Sequence, residues 1–304
     1  MITIVGTGRV GGSIAFHLAL RELDDIMLLD IVPNLPQGEA LDFAHMCATL
    51  GIDVDVRGSN DYKDMNGSDI VVVPAGFARK ADMTRLDLLR KNADVIRAVG
   101  KNIAEYAPNA KVILTTNPLD VMTYLMVKAT GFDRHRVMGF SGPLDTGRFK
   151  YMIAKELGVS TSSIQTMVIG EHGDSMVLMP RLTTVGGKPL TELLSQQRIG
   201  ELMDASKKGG AEIIRLRGWS SSYAPGAGVA QMVESVMKDR NQVIPTSVYL
   251  QGEYGVNDLA IVVPAVLGRN GVEKVIELQL TEEERNAFDK SVQVLKGAVS
   301  QLQQ

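Results

Sequence analysis

The chain has 304 residues, 45% of them hydrophobic and 22% charged, and its net charge is −3. That is globular composition, long enough for two lobes sharing an interface, and the small charge gives no support to a nucleic-acid or anionic-membrane partner. One cysteine, Cys47, excludes an internal disulfide; no apolar run approaches the roughly 20 residues of a membrane span, and no secretory leader is visible, so a cytoplasmic setting is expected.

Residues 2–5 form a short apolar run, followed by Gly6-Thr7-Gly8-Arg9-Val10-Gly11, an amphipathic helix over residues 13–23, a second apolar run over 26–29, and Asp30. Strand, glycine-rich turn, helix, strand and acid fit a dinucleotide site. The first glycine makes the turn, the second lets a pyrophosphate approach the backbone, and the third lets helix and strand pack closely. The helix N-terminus offers its unpaired N–H groups to the phosphates. Asp30, 19 positions after Gly11, would bind both ribose hydroxyls and repel a 2′-phosphate, favouring NAD over NADP.

A helix is expected over 38–50 and strands over 53–57, 70–73, 111–114 and 136–138. Strands alternating with helices predict a doubly wound parallel sheet of the Rossmann type, with ligands beyond the carboxyl ends of the strands. Three strand ends carry chemistry: the glycine turn, Ala75-Gly76, and Thr115-Thr116-Asn117-Pro118. The loop after Gly76 holds Arg79, Lys80 and Arg85, and loops in that position often close over substrates. A helix over 86–106 carries Asn92. Where the parallel pattern ends, Leu144-Asp145-Thr146-Gly147-Arg148 opens another helix to about Leu157. Asp145 and Arg148, three apart, share one face of it.

An apolar run then delivers the chain to Gly170-Glu171-His172-Gly173-Asp174-Ser175. Flanking glycines permit a sharp turn, and histidine is readily tuned to exchange protons near neutral pH. Helices over 191–202, 205–216 and 228–237, strands over 243–249 and 260–263, and a closing helix over 282–302 give a second, mixed α+β catalytic domain. The division is expected at 1–142 for dinucleotide binding and 143–304 for substrate.

These motifs in this order resemble the lactate/malate dehydrogenase family along essentially the whole chain. Arg79, where lactate dehydrogenases carry glutamine, is similar to the malate branch. The resemblance implies oxidation of malate by NAD⁺ to oxaloacetate, NADH and a proton. It implies cofactor contacts from Gly6, Thr7, Gly8, Arg9, Val10, Gly11, Asp30, Asn92, Thr115, Thr116 and Asn117. It makes His172 the group that takes the C2 hydroxyl proton and Asp145 the carboxylate that orients and stabilises its ring. Arg148 would hold the C1 carboxylate in a two-pronged pair, Arg85 would polarise the C2 oxygen, Asn117 would orient that oxygen or the nicotinamide ribose, and Arg79 would hold the second carboxylate. No metal is implied. A symmetric homo-oligomer, dimer or tetramer, is implied.

The chain departs from the family pattern in three places. Ala81-Asp82 replaces Pro-Gly in the loop, Pro74 stands where threonine is commoner, and Ser141-Gly142-Pro143 leads into the Asp145 helix. None removes a catalytic group. A lactate-type or relaxed-specificity 2-hydroxy-acid dehydrogenase is the competing enzyme. A non-catalytic dinucleotide-binding regulator would lack the histidine, aspartate or arginines, and all are present.

Overall fold

The computed structural model describes residues 1–77 and 84–302, with Arg85 described by its backbone alone. Its first half alternates β1 (Ile2–Val5), α1 (Arg9–Ala19), β2 (Ile26–Leu29), α2 (Leu35–Leu50), β3 (Val56–Ser59), β4 (Ile70–Val73), α3 (Arg85–Tyr106), β5 (Lys111–Leu114), α4 (Leu119–Thr130) and β6 (Val137–Phe140). β1, β2 and β4 are buried at every position, as strands covered on both faces must be, which is why they read as unbroken apolar runs.

The second half begins with α5 (Gly142–Leu157) and a set of two-residue strands: β7 (Ile164–Gln165), β8 (Val168–Ile169), β9 (Val177–Leu178), β10 (Thr184–Val185) and β11 (Lys188–Pro189). After them come α6 (Gln196–Arg217), α7 (Tyr223–Met237), β12 (Gln242–Gln251), β13 (Asn257–Gly268), β14 (Gly271–Val275) and α8 (Glu282–Ser300).

One nine-stranded sheet runs in the order β14-β13-β12-β6-β5-β4-β1-β2-β3. From β3 to β6 all pairings are parallel; β12, β13 and β14 extend that sheet antiparallel. The second half therefore shares the first half's sheet, and its two small sheets, β11-β10-β7 and β8-β9, stand beside it. A second apolar cluster around Phe149, Ile153, Ile164 and Leu178 supports them, separate from the main core.

Several expected elements change. α1 starts at Arg9, not at 13, so the glycine turn runs directly into helix. β3 begins at Val56 and β6 extends to Phe140. The two helices expected over 191–202 and 205–216 are one, α6, capped by the Ser195 hydroxyl on the Arg198 amide; nothing between Leu202 and Ala205 breaks a helix, and the stretch before Ser195 is a short 3-10 turn. α7 starts at Tyr223 and carries Pro225 and Gly226 in its first turn, where proline's missing N–H does no harm. Gly226 lets α7 approach α1 closely: a Cβ there would stand 2.2 Å from the Ser13 hydroxyl oxygen. α4 and β14 had no sequence signal. α4 is buried on nearly every side, so it lacks the amphipathic stripe by which helices are recognised. Among the described residues, no helix is long and apolar enough to cross a membrane.

Candidate active site

At the carboxyl end of the sheet, β1 hands the chain to Gly6 at φ +107°, where a Cβ would lie 2.8 Å from the Ala75 backbone. Gly11 is equally constrained, since a Cβ there would fall 1.9 Å from the Gly6 carbonyl oxygen. Gly8 differs. It caps α1 with no side-chain hydrogen bond and is exposed, and a Cβ on it would meet nothing within 4 Å among the described residues. The first-turn amides of α1 thus open onto uncrowded space, which fits a pyrophosphate.

Asp30 fixes this turn. One carboxylate oxygen accepts from the Thr7 amide at 2.8 Å and its hydroxyl at 3.1 Å; the other accepts from the Val32 amide at 3.0 Å. Two carboxylate oxygens offer about four acceptor sites, so capacity remains for a ribose hydroxyl. The Arg9 guanidinium lies 3.8 Å over the Trp219 ring, bridging to the turn between α6 and α7. Val10 packs against the main core.

The ends of β4 and β5 are locked together by side chains expected to meet the cofactor. Asn92, 1% exposed, accepts from the Phe77 amide at 2.7 Å and donates to the Asn117 carbonyl at 2.7 Å. The buried Thr116 hydroxyl donates to the Ala75 carbonyl at 2.7 Å. Both side chains are committed to the protein backbone, which leaves Thr115 and Asn117 as the accessible groups of this set. The Asn117–Pro118 peptide is cis.

In the second half of the chain, α5 presents Asp145 in its first turn, 2% exposed. One Asp145 oxygen lies 2.6 Å from His172 Nδ1. The other accepts from Arg148 Nη1 at 3.1 Å. Among the described residues, the Arg148 Nε is buried without a hydrogen-bond partner. Its guanidinium runs alongside Gly209 and Gly210 of α6, where a Cβ on Gly210 would stand 3.2 Å from Nη2.

The histidine turn is tied down on three sides. Gly170, at φ +90°, exchanges backbone hydrogen bonds with Val262 of β13 at 2.9 and 3.1 Å. The Ser291 hydroxyl of α8 donates to the Ser175 carbonyl at 2.6 Å. The His172 amide donates to Asp120 at 2.8 Å. Burial alone would push the imidazole toward its neutral form. Attraction and hydrogen bonding to Asp145, with Asp120 adding to them, outweigh burial and the opposing Arg148 charge, and His172 lies above its ordinary value.

Asp120 is not among the residues that the sequence motifs mark. The available signal is an acid in the first turn of a mostly apolar helix whose one other charged residue is Lys128, straight after Asn117-Pro118. Arg79 and its neighbours up to Met83 lie outside the described residues, as does the Arg85 side chain. The Arg85 backbone opens α3 behind a reciprocal capping pair, Thr84 with Asp87.

Two family models together match nearly the whole chain. Residues 1–139 match the lactate/malate dehydrogenase NAD-binding domain, and 143–304 match the alpha/beta C-terminal domain of the same family. The malate dehydrogenase of Pyrobaculum calidifontis is 52% identical over 305 aligned residues, covering 100% of this chain and 99% of its own. The malate dehydrogenase structure from Aeropyrum pernix superposes with a TM-score of 0.97 at 50% identity, over 99% of this chain and 97% of that one. A lactate dehydrogenase structure from Cryptosporidium parvum, with lactic acid and nicotinamide adenine dinucleotide, is similar at TM-score 0.96 and 36% identity, over 99% of this chain and 97% of that one.

Proposed function

The chain belongs to the lactate/malate dehydrogenase family and is an NAD-dependent oxidoreductase, and from that premise we propose that its substrate pair is (S)-malate and oxaloacetate. The observation that carries the reading is the convergence of the His172 ring, the Asp145 carboxylate and the Arg148 guanidinium within consecutive hydrogen bonds of 2.6 and 3.1 Å.

NAD⁺, when bound, supplies the acceptor for the hydride that leaves C2 of malate. His172 takes the C2 hydroxyl proton on the ring nitrogen that faces away from Asp145. Asp145 holds the other nitrogen protonated and stabilises the imidazolium that forms. Arg148, braced against Gly209 and Gly210, binds the C1 carboxylate, and its charge is already partly directed by Asp145. Arg85 polarises the C2 oxygen, and Asn117 orients it or the nicotinamide ribose. Gly6, Thr7, Gly8, Arg9, Val10 and Gly11 seat the pyrophosphate, Asp30 selects the unphosphorylated ribose, and Thr115 lines the nicotinamide end. Asn92 and Thr116 serve this site by holding the β4 and β5 ends in place. Residues 1–142 carry the dinucleotide, and 143–304 carry the His172–Asp145 pair and Arg148, with Arg79, Arg85 and Asn117 reaching the substrate from the first part.

Arg79 decides between substrates. A neutral-tailed substrate such as pyruvate would leave its guanidinium without a partner in the closed site, a cost of about 3–5 kcal/mol. Steady-state reduction of oxaloacetate and pyruvate by NADH tests this. The wild-type chain should prefer oxaloacetate by at least a hundredfold in kcat/KM, and Arg79→Gln should shift the ratio toward pyruvate. An unmoved ratio would reduce Arg79 to a solvated charge.

The setting is proposed as the cytoplasm, consistent with a single free, buried cysteine, Cys47. The assembly is proposed as a homo-oligomer, dimer or tetramer. Its support is the exposed apolar side chains of Leu41 and Leu50 on α2 and of Ile31 just before it, and its size is read by light scattering.

A further inference from the structure

We propose that Trp219 is a positioning residue for the cofactor: its indole face holds the Arg9 guanidinium at the open first turn of α1 and leaves that charge available to the NAD pyrophosphate. The inference rests on the reading of Arg9 as a pyrophosphate contact.

Trp219 is the one tryptophan in the chain. Gly218, at φ +82°, ends α6, and the ring stands in the turn that follows, 46% exposed. A half-exposed indole forgoes much of the gain that burial gives an aromatic side chain, so its use lies in what its face touches. The Arg9 guanidinium sits 3.8 Å from the ring centroid, well inside the ~6 Å reach of a cation–π contact. Arg217 fixes the turn itself. Its Nε donates to the Trp219 carbonyl at 3.3 Å and its Nη2 to the Ser220 carbonyl at 2.5 Å, and its guanidinium lies 5.6 Å from the same ring. The ring is therefore held from its own side and holds Arg9 on the other half of the chain.

The partner given to Arg9 carries the argument. Arg9 is the first residue of α1, and no acid stands in that first turn, although a helix N-terminus favours anions and opposes cations. Among the described residues, Arg9 pairs with no carboxylate. A carboxylate would hold the guanidinium and cancel its charge. An aromatic face holds it and leaves the charge intact. A pyrophosphate arriving at the exposed Gly8 cap then meets the α1 amides and a guanidinium already in place, so less side-chain freedom is lost on binding. Fastening the halves together does not require this stack, because Gly226 already brings α7 against Ser13 of α1.

The experiment measures NADH binding to the full chain by isothermal titration calorimetry. Trp219→Leu should weaken it about two- to fivefold, the size of a half-exposed cation–π contact. Trp219→Tyr keeps an aromatic face and should recover most of that loss. Arg9→Gln should weaken binding further than Trp219→Leu, since the charge itself goes, and adding Trp219→Leu to Arg9→Gln should then cost nothing more. A second readout needs no cofactor: with a single indole in the chain, Arg9→Gln should change the tryptophan emission of the free protein. Unmoved NADH binding in Trp219→Leu, or the same loss from Trp219→Leu with and without Arg9, overturns the proposal; the second result would mark a turn that matters only for packing. If Trp219→Leu fails to fold, unchanged emission in Arg9→Gln overturns it instead. Unmoved NADH binding in Arg9→Gln would remove the cofactor role of Arg9 itself, and the proposal with it, whereas a loss there without one in Trp219→Leu would sink the role of Trp219 alone.

Discussion

Replacing Asp145 by asparagine tests the proton relay through its backing group. The carboxylate is buried between two cationic partners, with contacts of 2.6 Å to His172 and 3.1 Å to Arg148. An amide of the same shape cannot serve both. If its oxygen faces the ring, its NH₂ group points at the Arg148 guanidinium, donor against donor. If it is turned, the NH₂ group donates to Nδ1, and the outer ring nitrogen then carries the hydrogen it should be free to accept. A hydrogen bond to a charged group contributes about 1.5–3 kcal/mol. Loss of that bond together with its charge should cost the transition state about 3 kcal/mol, or roughly a hundredfold in kcat. The sign of the pH effect also follows. Asp145 is the chief support of the raised His172 value, so removing its charge lowers that value. Reduction of oxaloacetate, which needs the imidazolium, should lose its alkaline limb at lower pH. NADH absorbance followed across pH reads both effects, and NADH fluorescence checks that cofactor binding survives. A variant within tenfold of wild type, with its pH profile in place, would refute the relay.

Asp30→Asn should raise the ratio of NADPH to NADH use in kcat/KM, since it removes the charge that repels a 2′-phosphate. It should also weaken NADH binding, because the same carboxylate clamps Thr7 at 2.8 and 3.1 Å; an unchanged cofactor ratio would discredit the ribose role. Far from the site, Arg134 grips Glu253 by both prongs at 3.1 and 2.8 Å. Burial would raise the Glu253 carboxyl, but the Arg134 and Gln251 amide bonds outweigh it and hold it at about 2, below the ordinary 4.5. With the folded value depressed, this stabilisation is present above 4.5 and fades as pH falls toward 2. Arg134→Ala should cost about 1–2 kcal/mol at neutral pH after allowance for solvent screening. In urea unfolding, its gap from wild type should narrow across that acid range, and a gap constant with pH would contradict the pairing.

The parts of the fold legible in the sequence were those whose environment is uniform. β1, β2, β4 and β5 match their expected bounds because strands buried on both faces need only apolar residues, and the sequence supplies four in a row with few exceptions. α4 was illegible for the same reason inverted: covered almost all round, it shows no polar face to betray a helical period. β14, five residues with Glu273 and Lys274 at its centre, reads as a charged loop until β13 is there to pair with it. Within the site, Asp145 and Arg148 are neighbours on one helix turn, and their spacing is written in the chain. The Asp120 contact to His172 spans 52 positions and that to Ser247 spans 127, and nothing local encodes such meetings. Asn92 and Thr116 show a subtler limit: the chain order placed them beside the cofactor cleft, but only the backbone carbonyls and amides around them reveal that their polar atoms face inward.

The most direct test of the account is single-turnover oxaloacetate reduction by His172→Asn preloaded with NADH. The account predicts tight NADH binding with the hydride-transfer rate down by about 10²–10⁴-fold, the usual contribution of a positioned acid–base group. Near-wild-type transfer by that variant would show that the proton reaches the substrate by another route.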